Sequence, residues 1–313
     1  MYLHIFDCSQ YIYAGYNGNK SGKWVTRGVR ETNGEYESRT ANVNGVMHLL
    51  NEINRFNKEL NVVIPVFDRP ASIKREMYKD TFGYDGYKAN RGEPNWDIIR
   101  QRRFAEEILR KCGFPVQAVE GYEADDVIHT LVQIYKNDYE KIFIHNRDSD
   151  LFYLVGDNVE IAKVGKLGKS ITLENYYYTV LNDYNCFYNT IHLYKTYYGD
   201  SSDCIPGIGK EWAARIDEFI GPDDFRKLGD LELCRNFIRQ AIKKYFNCPN
   251  SQLVLPTFNI ITPLDVPYEE LDDSEYDVNW EMFLKYYLNN FDASADRWDC
   301  ESSLDDYIES CYD

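Results

Sequence analysis

The sequence lacks the features that would place the protein in a membrane or among disulfide-stabilised secreted proteins. No apolar run approaches the roughly 18 residues that a membrane span requires. The opening "MYLHIFDCSQ" has no basic segment, and Asp7 breaks its apolar run, so we expect no secretory signal. The eight cysteines are scattered without a C-x-x-C pair, which removes the usual zinc and thiol-redox patterns. We therefore expect a cytoplasmic protein with reduced cysteines and no membrane partner.

An excess of positive charge is also missing, which at first argues against a nucleic-acid partner. The chain of 313 residues has a formal net charge of −16. Residues 264–313 contain 16 Asp/Glu and two Lys/Arg, a net charge of −14, so residues 1–263 carry only −2. Blocks of like charge are commonly solvated or serve as interaction tails. We therefore interpret residues 264–313 as an acidic C-terminal extension of a nearly neutral body.

Apolar runs alternate with amphipathic stretches along the first half of the chain. The predicted strands are "MYLHIFDC", "NVVIPVFD", "FPVQAVEG" and "KIFIHNRDSD". The predicted helices are "VNGVMHLLNEINRFNKEL", "DIIRQRRFAEEILRKCG" and "EADDVIHTLVQIYKN". This alternation predicts an α/β fold with a mainly parallel central sheet flanked by helices. We expect a core over residues 1–183 with a polar insertion at 69–97, a helical region over 184–263, and the acidic extension over 264–313.

Carboxylates gather where this fold places ligands, at the carboxyl ends of the strands. The candidates are Asp7, Asp68, Glu123, Asp125, Asp126, Asp148, Asp150, Asp200 and Asp203. A single Asp after a strand is usually a turn or capping residue, and acids at a helix start face the positive end of its dipole. Convergence of four segments favours a cation instead. Sites made only of Asp and Glu suit hard ions such as Mg²⁺ or Mn²⁺, and the spacing of an EF-hand calcium loop is absent.

Four ordered stretches carry a family resemblance: "FDRPASIKREMYKDTFGYDGYKANR", "GYEADDVI", "RDSDLFYLV" and "GDSSDCIPGIGKEWAARI". They resemble the 5′-nuclease (flap endonuclease) superfamily, in particular stand-alone bacteriophage 5′→3′ exonucleases and the 5′-nuclease domain of bacterial DNA polymerase I. The resemblance implies a PIN/5′-nuclease-like fold with a helix–two-turn–helix region. It also implies a monomeric 5′→3′ exonuclease and flap endonuclease of replication or repair, in a bacterium or a phage-infected cell. Its substrates would be DNA with 5′ ends or flaps and RNA–DNA hybrids.

The resemblance implies a two-metal mechanism with two Mg²⁺ ions, for which Mn²⁺ can substitute. The ligands that it implies for the first metal are Asp7, Asp68, Glu123 and Asp125. Those for the second metal are Asp125, Asp148, Asp150 and Asp200. Asp126 and Asp203 would act through bound water or by supporting the ligands. Lys88 and Arg91 would be the catalytic contacts to the scissile phosphate.

The resemblance also gives a role to the polar insertion and to the "GIGK" turn. Residues 69–97 would form an arch that admits single-stranded 5′ ends, with Tyr87 stacking on a terminal base and Arg75 among the basic positions. The arch sequence mixes lysines, including Lys74, with tyrosines, which suits a strand path. The turn residues Gly207, Ile208, Gly209 and Lys210 would bind the duplex phosphate through K⁺. The plain alternatives are a solvated loop and an ordinary helix–helix turn.

Three other functions remain open from the sequence. A PIN-like ribonuclease would use the same carboxylates on RNA, and a non-catalytic DNA-structure-binding module would keep the fold without the reaction. A metal-dependent phosphatase would need a nucleophile motif, which we do not find. The acidic extension, with Leu304, Tyr307 and Ile308, is interpreted as a segment that binds a replication protein or occupies the DNA groove. His129 lies one turn after Asp125, and we expect it to pack in a helix rather than to bind metal.

Overall fold

The structure is a computed structural model that describes residues 1–18, 24–32, 35–146, 148–164, 169–172, 191–220, 230–272 and 276–289. The chain divides into two compact units. The first unit comprises the described parts of Met1–Phe67, Glu93–Ala118 and Leu271–Asp313, and the second those of Asp68–Gly92 and Val119–Glu270. The predicted boundary at residue 183 and the apolar set of the acidic extension lie outside the described residues. The predicted domain division therefore stays a prediction.

The secondary-structure elements follow one another in this order. They are β1 (Tyr2–Asp7), α1 (Cys8–Gly18), β2 (Trp24–Thr32), β3 (Glu35–Asn42), α2 (Asn44–Asn54), β4 (Asn61–Val66), α3 (Ser72–Phe82), α4 (Trp96–Lys111), α5 (Ala124–Tyr135), β5 (Lys141–His145), a 3₁₀ helix (Ser149–Leu154), β6 (Val159–Val164), β7 (Lys169–Ile171), α6 (Ile191–Tyr198), β8 (Gly199–Asp200), β9 (Ile205–Pro206), α7 (Glu211–Asp217), α8 (Leu231–Lys244), α9 (Ser251–Ile261), a 3₁₀ helix (Tyr268–Glu270) and α10 (Trp280–Asn289). No helix within these described ranges is long and apolar enough to cross a membrane.

In the first unit, β1 and β4 pair in parallel, with Tyr2 opposite Asn61 and Asp7 opposite Val66. All residues of β1 after Tyr2 are buried, as expected for a parallel strand that is covered on both faces. Helices α1, α2 and α4 supply apolar side chains to one core with β1 and with Phe283 of α10. The hairpin of β2 and β3 is antiparallel.

In the second unit, β5 pairs in parallel with β6, and β6 pairs antiparallel with β7. Helix α5 buries the apolar positions that its sequence spacing predicts, including Val127, Ile128 and Leu131. A smaller core joins Tyr78 of α3 and Tyr87 to Ile205 and to Ile260 of α9. The mostly parallel pairing with flanking helices confirms the predicted fold class.

One local prediction needs correction. The stretch "FPVQAVEG" is not a strand, because only Gln117 forms a parallel bridge, to Val66. Pro115 has no N–H to donate, and Val116 donates within the segment, to the carbonyl oxygen of Phe114. The polar insertion at 69–97 contains α3, which argues against the plain alternative of a solvated loop. That helix ends at Gly83, whose φ of +80° is the left-handed conformation that favours glycine.

Candidate active site

The start of α5 brings several predicted carboxylates together in the second unit. Asp126 Oδ2 accepts a hydrogen bond from the backbone N–H of Glu123 (2.9 Å), which is half of a capping box. Asp68 Oδ1 accepts one from the backbone N–H of Ala124 (2.9 Å). The plain capping role is therefore present. It does not account for the charge, because Asp126 is fully buried and needs a cation.

Lys74 of α3 provides that cation. Its ammonium lies 2.9 Å from Asp126 Oδ1 and 3.5 Å from Glu123 Oε2. Burial disfavours the ammonium, but the carboxylates of Asp126 and Glu123 outweigh it and raise the pKa of Lys74. The expectation that Lys74 lines an open strand path is wrong, because the residue is 5% exposed.

Tyr87 and Lys88 join Glu123 to Asp203. The Tyr87 hydroxyl donates to Glu123 Oε2 (2.9 Å) and lies 3.3 Å from Asp203 Oδ2. The Lys88 ammonium contacts Glu123 Oε1 and lies 3.6 Å from Asp203 Oδ2. We call Glu123, Asp126 and Asp203, with Lys74 and Lys88, the Glu123 group. The stacking role predicted for Tyr87 requires correction, because its ring is 1% exposed and offers no face to a base.

The backbone fixes this arrangement by clamping residues 87–91 to residues 201–204. The N–H of Lys88 donates to the carbonyl oxygen of Asp203 (2.9 Å), and Asn90 Nδ2 donates to that of Ser201 (2.7 Å). Arg91 Nη2 lies 3.4 Å from Asp203 Oδ1, while most of the Arg91 side chain stays exposed. Lys88 and Arg91, the two catalytic candidates, therefore both lie beside the carboxylate of Asp203.

The charges within the Glu123 group determine the pKa values of its carboxyl groups. Burial opposes ionisation of Glu123, but the ammonium groups of Lys74 and Lys88 outweigh it and lower the pKa of the carboxyl to about 2. Burial raises the pKa of the Asp203 carboxyl, and the neighbouring Glu123 and Asp200 charges add to the rise against the opposing effect of Lys88. Glu123 is therefore the firmly ionised member of the group.

A second set of carboxylates surrounds Lys195 of α6. The Lys195 ammonium lies 2.5 Å and 2.6 Å from the two carboxylate oxygens of Asp150 and 2.8 Å from Asp200 Oδ2. Asp148 caps the 3₁₀ helix, with its Oδ1 accepting from the N–H of Asp150 (3.2 Å). We call Asp148, Asp150 and Asp200, with Lys195, the Asp150 group.

These carboxylates repel one another in spite of the lysine. Burial, followed by the charge of Asp148, raises the pKa of the Asp150 carboxyl to about 6, although Lys195 acts in the opposite direction. Burial also opposes ionisation of Asp200, but hydrogen bonds from Lys195 and Ser202 outweigh it and lower the pKa of that carboxyl. The Asp150 group therefore holds more negative charge than one ammonium balances.

Sequence reasoning missed Lys195 and Asn146. Lys195 stands in "YKTYYGD", five residues before Asp200, and the need of buried carboxylates for a cation was the available signal. Asn146 is fully buried, and its Nδ2 donates to Asp125 Oδ1 (3.1 Å) while its Oδ1 accepts from the N–H of Asp148. Asn146 thus connects Asp125 of α5 to the Asp150 group.

The fit of these residues to divalent cations rests on their chemistry. All nine candidate donors are carboxylates, the ligands that Mg²⁺ and Mn²⁺ prefer, and six of them stand in the two groups that need positive charge. Within the described ranges, no three Asp, Glu, His or Cys side chains are arranged as a metal centre. Asp7 belongs to the first unit, where its Oδ1 accepts from the N–H of Gln10 (3.1 Å), and its place in the ligand set stays a prediction.

The predicted turn lies between α6 and α7. The N–H groups of Ile208 and Gly209 donate to the carbonyl oxygens of Thr196 (3.1 Å) and Tyr197 (3.0 Å) at the end of α6. These two N–H groups are therefore occupied and are not offered to a phosphate. Gly209 has a φ of +100°, which explains the glycine.

The other predicted side chains lie apart from the two groups. Arg75 is exposed and pairs with Asp85 (2.9 Å), and Lys210 is exposed beside the turn. His129 packs as predicted, because its Nε2 lies 3.1 Å from Asp265 Oδ1 and its Nδ1 lies 2.5 Å from the Tyr153 hydroxyl.

Comparison with known proteins adds independent information. Residues 2–182 match the family described as 5′-3′ exonuclease, N-terminal resolvase-like domain. DNA polymerase I of Caldicellulosiruptor bescii is 30% identical over 233 residues, which cover 72% of this chain and 27% of that protein. The chain thus spans about a quarter of that polymerase. The 5′-3′ exonuclease of Mycoplasmopsis pulmonis is 27% identical over 265 residues, 82% of this chain and 84% of the relative. A T5 5′-exonuclease with divalent zinc ions shares the fold, with a TM-score of 0.52, 14% identity, and coverage of 100% of this chain and 98% of that one.

Proposed function

The chain belongs to the 5′-3′ exonuclease family, and on that premise we propose that it is a divalent-metal-dependent 5′→3′ exonuclease and flap endonuclease. It hydrolyses DNA phosphodiesters at 5′ ends and flaps, with RNA–DNA primers as a further substrate, in replication or repair. The observation that carries the proposal is the pair of carboxylate groups in the second unit, in which buried and half-buried Asp and Glu side chains are paired with Lys74, Lys88 and Lys195. Burying several carboxylates together costs folding free energy unless cations compensate their charge.

Two Mg²⁺ ions, for which Mn²⁺ can substitute, are the proposed cofactors. The residues proposed to hold them are those of the predicted ligand set, Asp7, Asp68, Glu123, Asp125, Asp148, Asp150 and Asp200, with support from Asp126, Asp203 and Asn146. When bound, the ions supply positive charge that stabilises the reacting phosphate and lowers the pKa of the attacking water.

The chain's own cations are proposed to orient the scissile phosphate. The Lys88 ammonium is held between Glu123 and Asp203. The largely exposed Arg91 reaches the same Asp203, and its guanidinium can bind a phosphate through two parallel hydrogen bonds. The Tyr87 hydroxyl fixes the orientation of Glu123. Hydrolysis leaves a 5′-phosphate and a 3′-hydroxyl.

The turn at Gly207–Lys210 is proposed to contact duplex DNA. The N–H groups of Ile208 and Gly209 donate to α6, and the carbonyl oxygens of Gly209 and Lys210 accept from Trp212 and Ala213. Each of these carbonyl oxygens keeps a second lone pair, and the Lys210 ammonium is exposed beside them. Carbonyl oxygens are ligands for K⁺, which would bridge the turn to a phosphate. We further propose that the protein acts as a monomer and that the acidic extension binds a replication protein.

Cleavage of a 5′-labelled flap duplex tests the proposal. We expect Mg²⁺ to support release of short 5′ products, EDTA to stop it, and the Asp148→Asn/Asp150→Asn variant to be inactive. The matched control is Asp138→Asn/Asp157→Asn, which removes the same charge from two exposed positions of the second unit and should cleave normally. Tight binding of flap DNA without cleavage in Mg²⁺ or Mn²⁺ would favour the binding-module alternative.

A further inference from the structure

Helix α6 presents two tyrosines that the proposed reaction does not use. Tyr194 and Tyr198 are 45% and 49% exposed, and their ring centroids are 4.4 Å apart at an interplanar angle of 31°. The Lys210 ammonium lies 5.3 Å from the centroid of the Tyr198 ring. We call Tyr194, Tyr198 and Lys210 the tyrosine patch. It joins the last turn of α6 to the glycine turn.

The rest of α6 shows that these rings are not part of the core. Ile191, Leu193 and Tyr197 are buried, so the helix already has an inward face, and Lys195 is directed to Asp150 and Asp200. The two exposed rings stand four residues apart, which is the spacing of neighbours on one helix face, and they contact each other in a tilted arrangement. Rings that already contact each other have lost part of their side-chain freedom before a partner binds, which lowers the entropic cost of association.

The charge of the patch indicates an anionic partner. Lys210 supplies an ammonium over an aromatic face, and α6 contains no acidic residue. The neighbouring Glu211 lies 3.5 Å from Arg215, so its charge is shared with another cation. Tyrosine combines an apolar ring with a hydroxyl donor, and it is enriched at interfaces where both are used.

We propose that the tyrosine patch binds the sugar–phosphate backbone of duplex DNA and extends the contact made by the glycine turn; this inference rests on the proposed nuclease function. Lys210 and the tyrosine hydroxyls meet phosphate oxygens, while the rings pack against deoxyribose. Duplex is favoured over an unpaired base because the rings already contact each other and Lys210, which leaves less ring surface for stacking. The patch follows directly on the turn proposed to contact duplex.

Binding of labelled DNA, measured by fluorescence anisotropy in a K⁺ buffer with EDTA, separates the patch from catalysis. The probes are a short blunt duplex and the single strand of the same sequence. We expect Tyr194→Ala/Tyr198→Ala to weaken duplex binding about tenfold, as for truncation of interface tyrosines, and to leave single-strand binding unchanged. Tyr268→Ala is the matched control, because Tyr268 is 56% exposed in the same unit and outside the patch.

Lys210→Ala gives a second test, which does not depend on whether the double tyrosine variant folds. It should weaken duplex binding and reduce the slope of log K against log salt concentration by about one. Lys136→Ala, which changes an exposed lysine of the same unit, should have neither effect. The inference is overturned if the tyrosine variant binds duplex as wild type does, or loses duplex and single strand equally. If the wild-type protein cuts flap DNA and both patch variants bind duplex normally, only the role of the patch is refuted. Wild-type protein that neither binds duplex nor cuts flaps refutes the proposed function as well.

Discussion

Lys195 shows how single residues balance the candidate site. One ammonium stands between the half-buried carboxylate of Asp150 and the buried carboxylate of Asp200, both of which the sequence assigns to a metal. Removing one partner of a buried ion pair leaves uncompensated charge, which is far more costly than losing a surface pair. A divalent cation in the Asp150 group would supply the same positive charge as this lysine.

Replacing Lys195 by Met should therefore lower the free energy of unfolding in EDTA by about 3–5 kcal/mol. Mg²⁺ should restore part of that loss, and it should stabilise the variant more than the wild type. Urea unfolding with EDTA and with Mg²⁺ measures both effects. Lys141→Met is the control, because its pair with Glu160 is partly exposed and should be worth at most about 1 kcal/mol. Equal stabilisation of Lys195→Met and wild type by Mg²⁺ would count against a cation site in the Asp150 group.

Glu123 gives a pH dependence whose sign follows from its partners. Lys74 and Lys88 lower the pKa of its carboxyl from 4.5 to about 2, against the effect of burial. The unfolded chain thus binds more protons between these values, so the stabilisation is present above pH 4.5 and is lost as the pH falls through 2.

In EDTA, the Glu123 carboxyl should contribute a loss of about 2 kcal/mol in the free energy of unfolding between pH 5 and pH 3. Glu123→Gln should remove this part of the pH dependence, because the amide does not titrate. Urea unfolding of both proteins at a series of pH values provides the measurement. If the two proteins lose stability in parallel, the lysines do not hold Glu123 ionised.

At the scale of elements, α6 and the turn at Gly207–Lys210 are joined by backbone hydrogen bonds and close packing. The helix supplies Lys195 to the Asp150 group, and its last carbonyl oxygens accept the N–H groups of Ile208 and Gly209. Gly207 sits so close to this helix end that an added Cβ would lie 2.5 Å from the carbonyl oxygen of Tyr197. The packing of backbone against backbone there leaves no room for a side chain.

Gly207→Ala should therefore cost about 1–3 kcal/mol of stability, as expected for overpacking, and should reduce duplex binding because the turn must move. Gly156→Ala is the matched control: its added Cβ would lie 3.9 Å from the nearest neighbouring atom, the carbonyl oxygen of Leu154. Thermal unfolding and duplex binding are the two readouts. Wild-type stability of Gly207→Ala would show that this contact is not tight.

Local patterns predicted some elements and missed others for physical reasons. Strands β1 and β4 and helices α4 and α5 have continuous or periodic apolar residues, and these were found. The hairpin of β2 and β3 was not predicted, because its sequence is mostly polar and lacks an apolar alternation. The carboxylates could be identified by their positions after strands. Their lysine partners could not, because Lys74, Lys88 and Lys195 meet them through contacts between distant segments.

At the scale of the whole molecule, the distribution of charge is compatible with the proposed activity on nucleic acid. The net charge of −16 includes −14 from residues 264–313, and six of the other Asp and Glu side chains belong to the two carboxylate groups. Cations bound there would leave the rest of residues 1–263 with a positive balance, which suits a polyanionic substrate. The family match over residues 2–182 agrees with this distribution, while the choice between DNA and RNA depends on the substrate itself.

The most direct test of the central claim compares cleavage of a 5′-labelled DNA flap and an RNA of the same sequence and structure, in Mg²⁺ and under single-turnover conditions. A metal-dependent 5′-nuclease acting on DNA should release short 5′ products from the flap and leave the structured RNA largely intact. Faster cleavage of the RNA would contradict the account and favour the ribonuclease alternative.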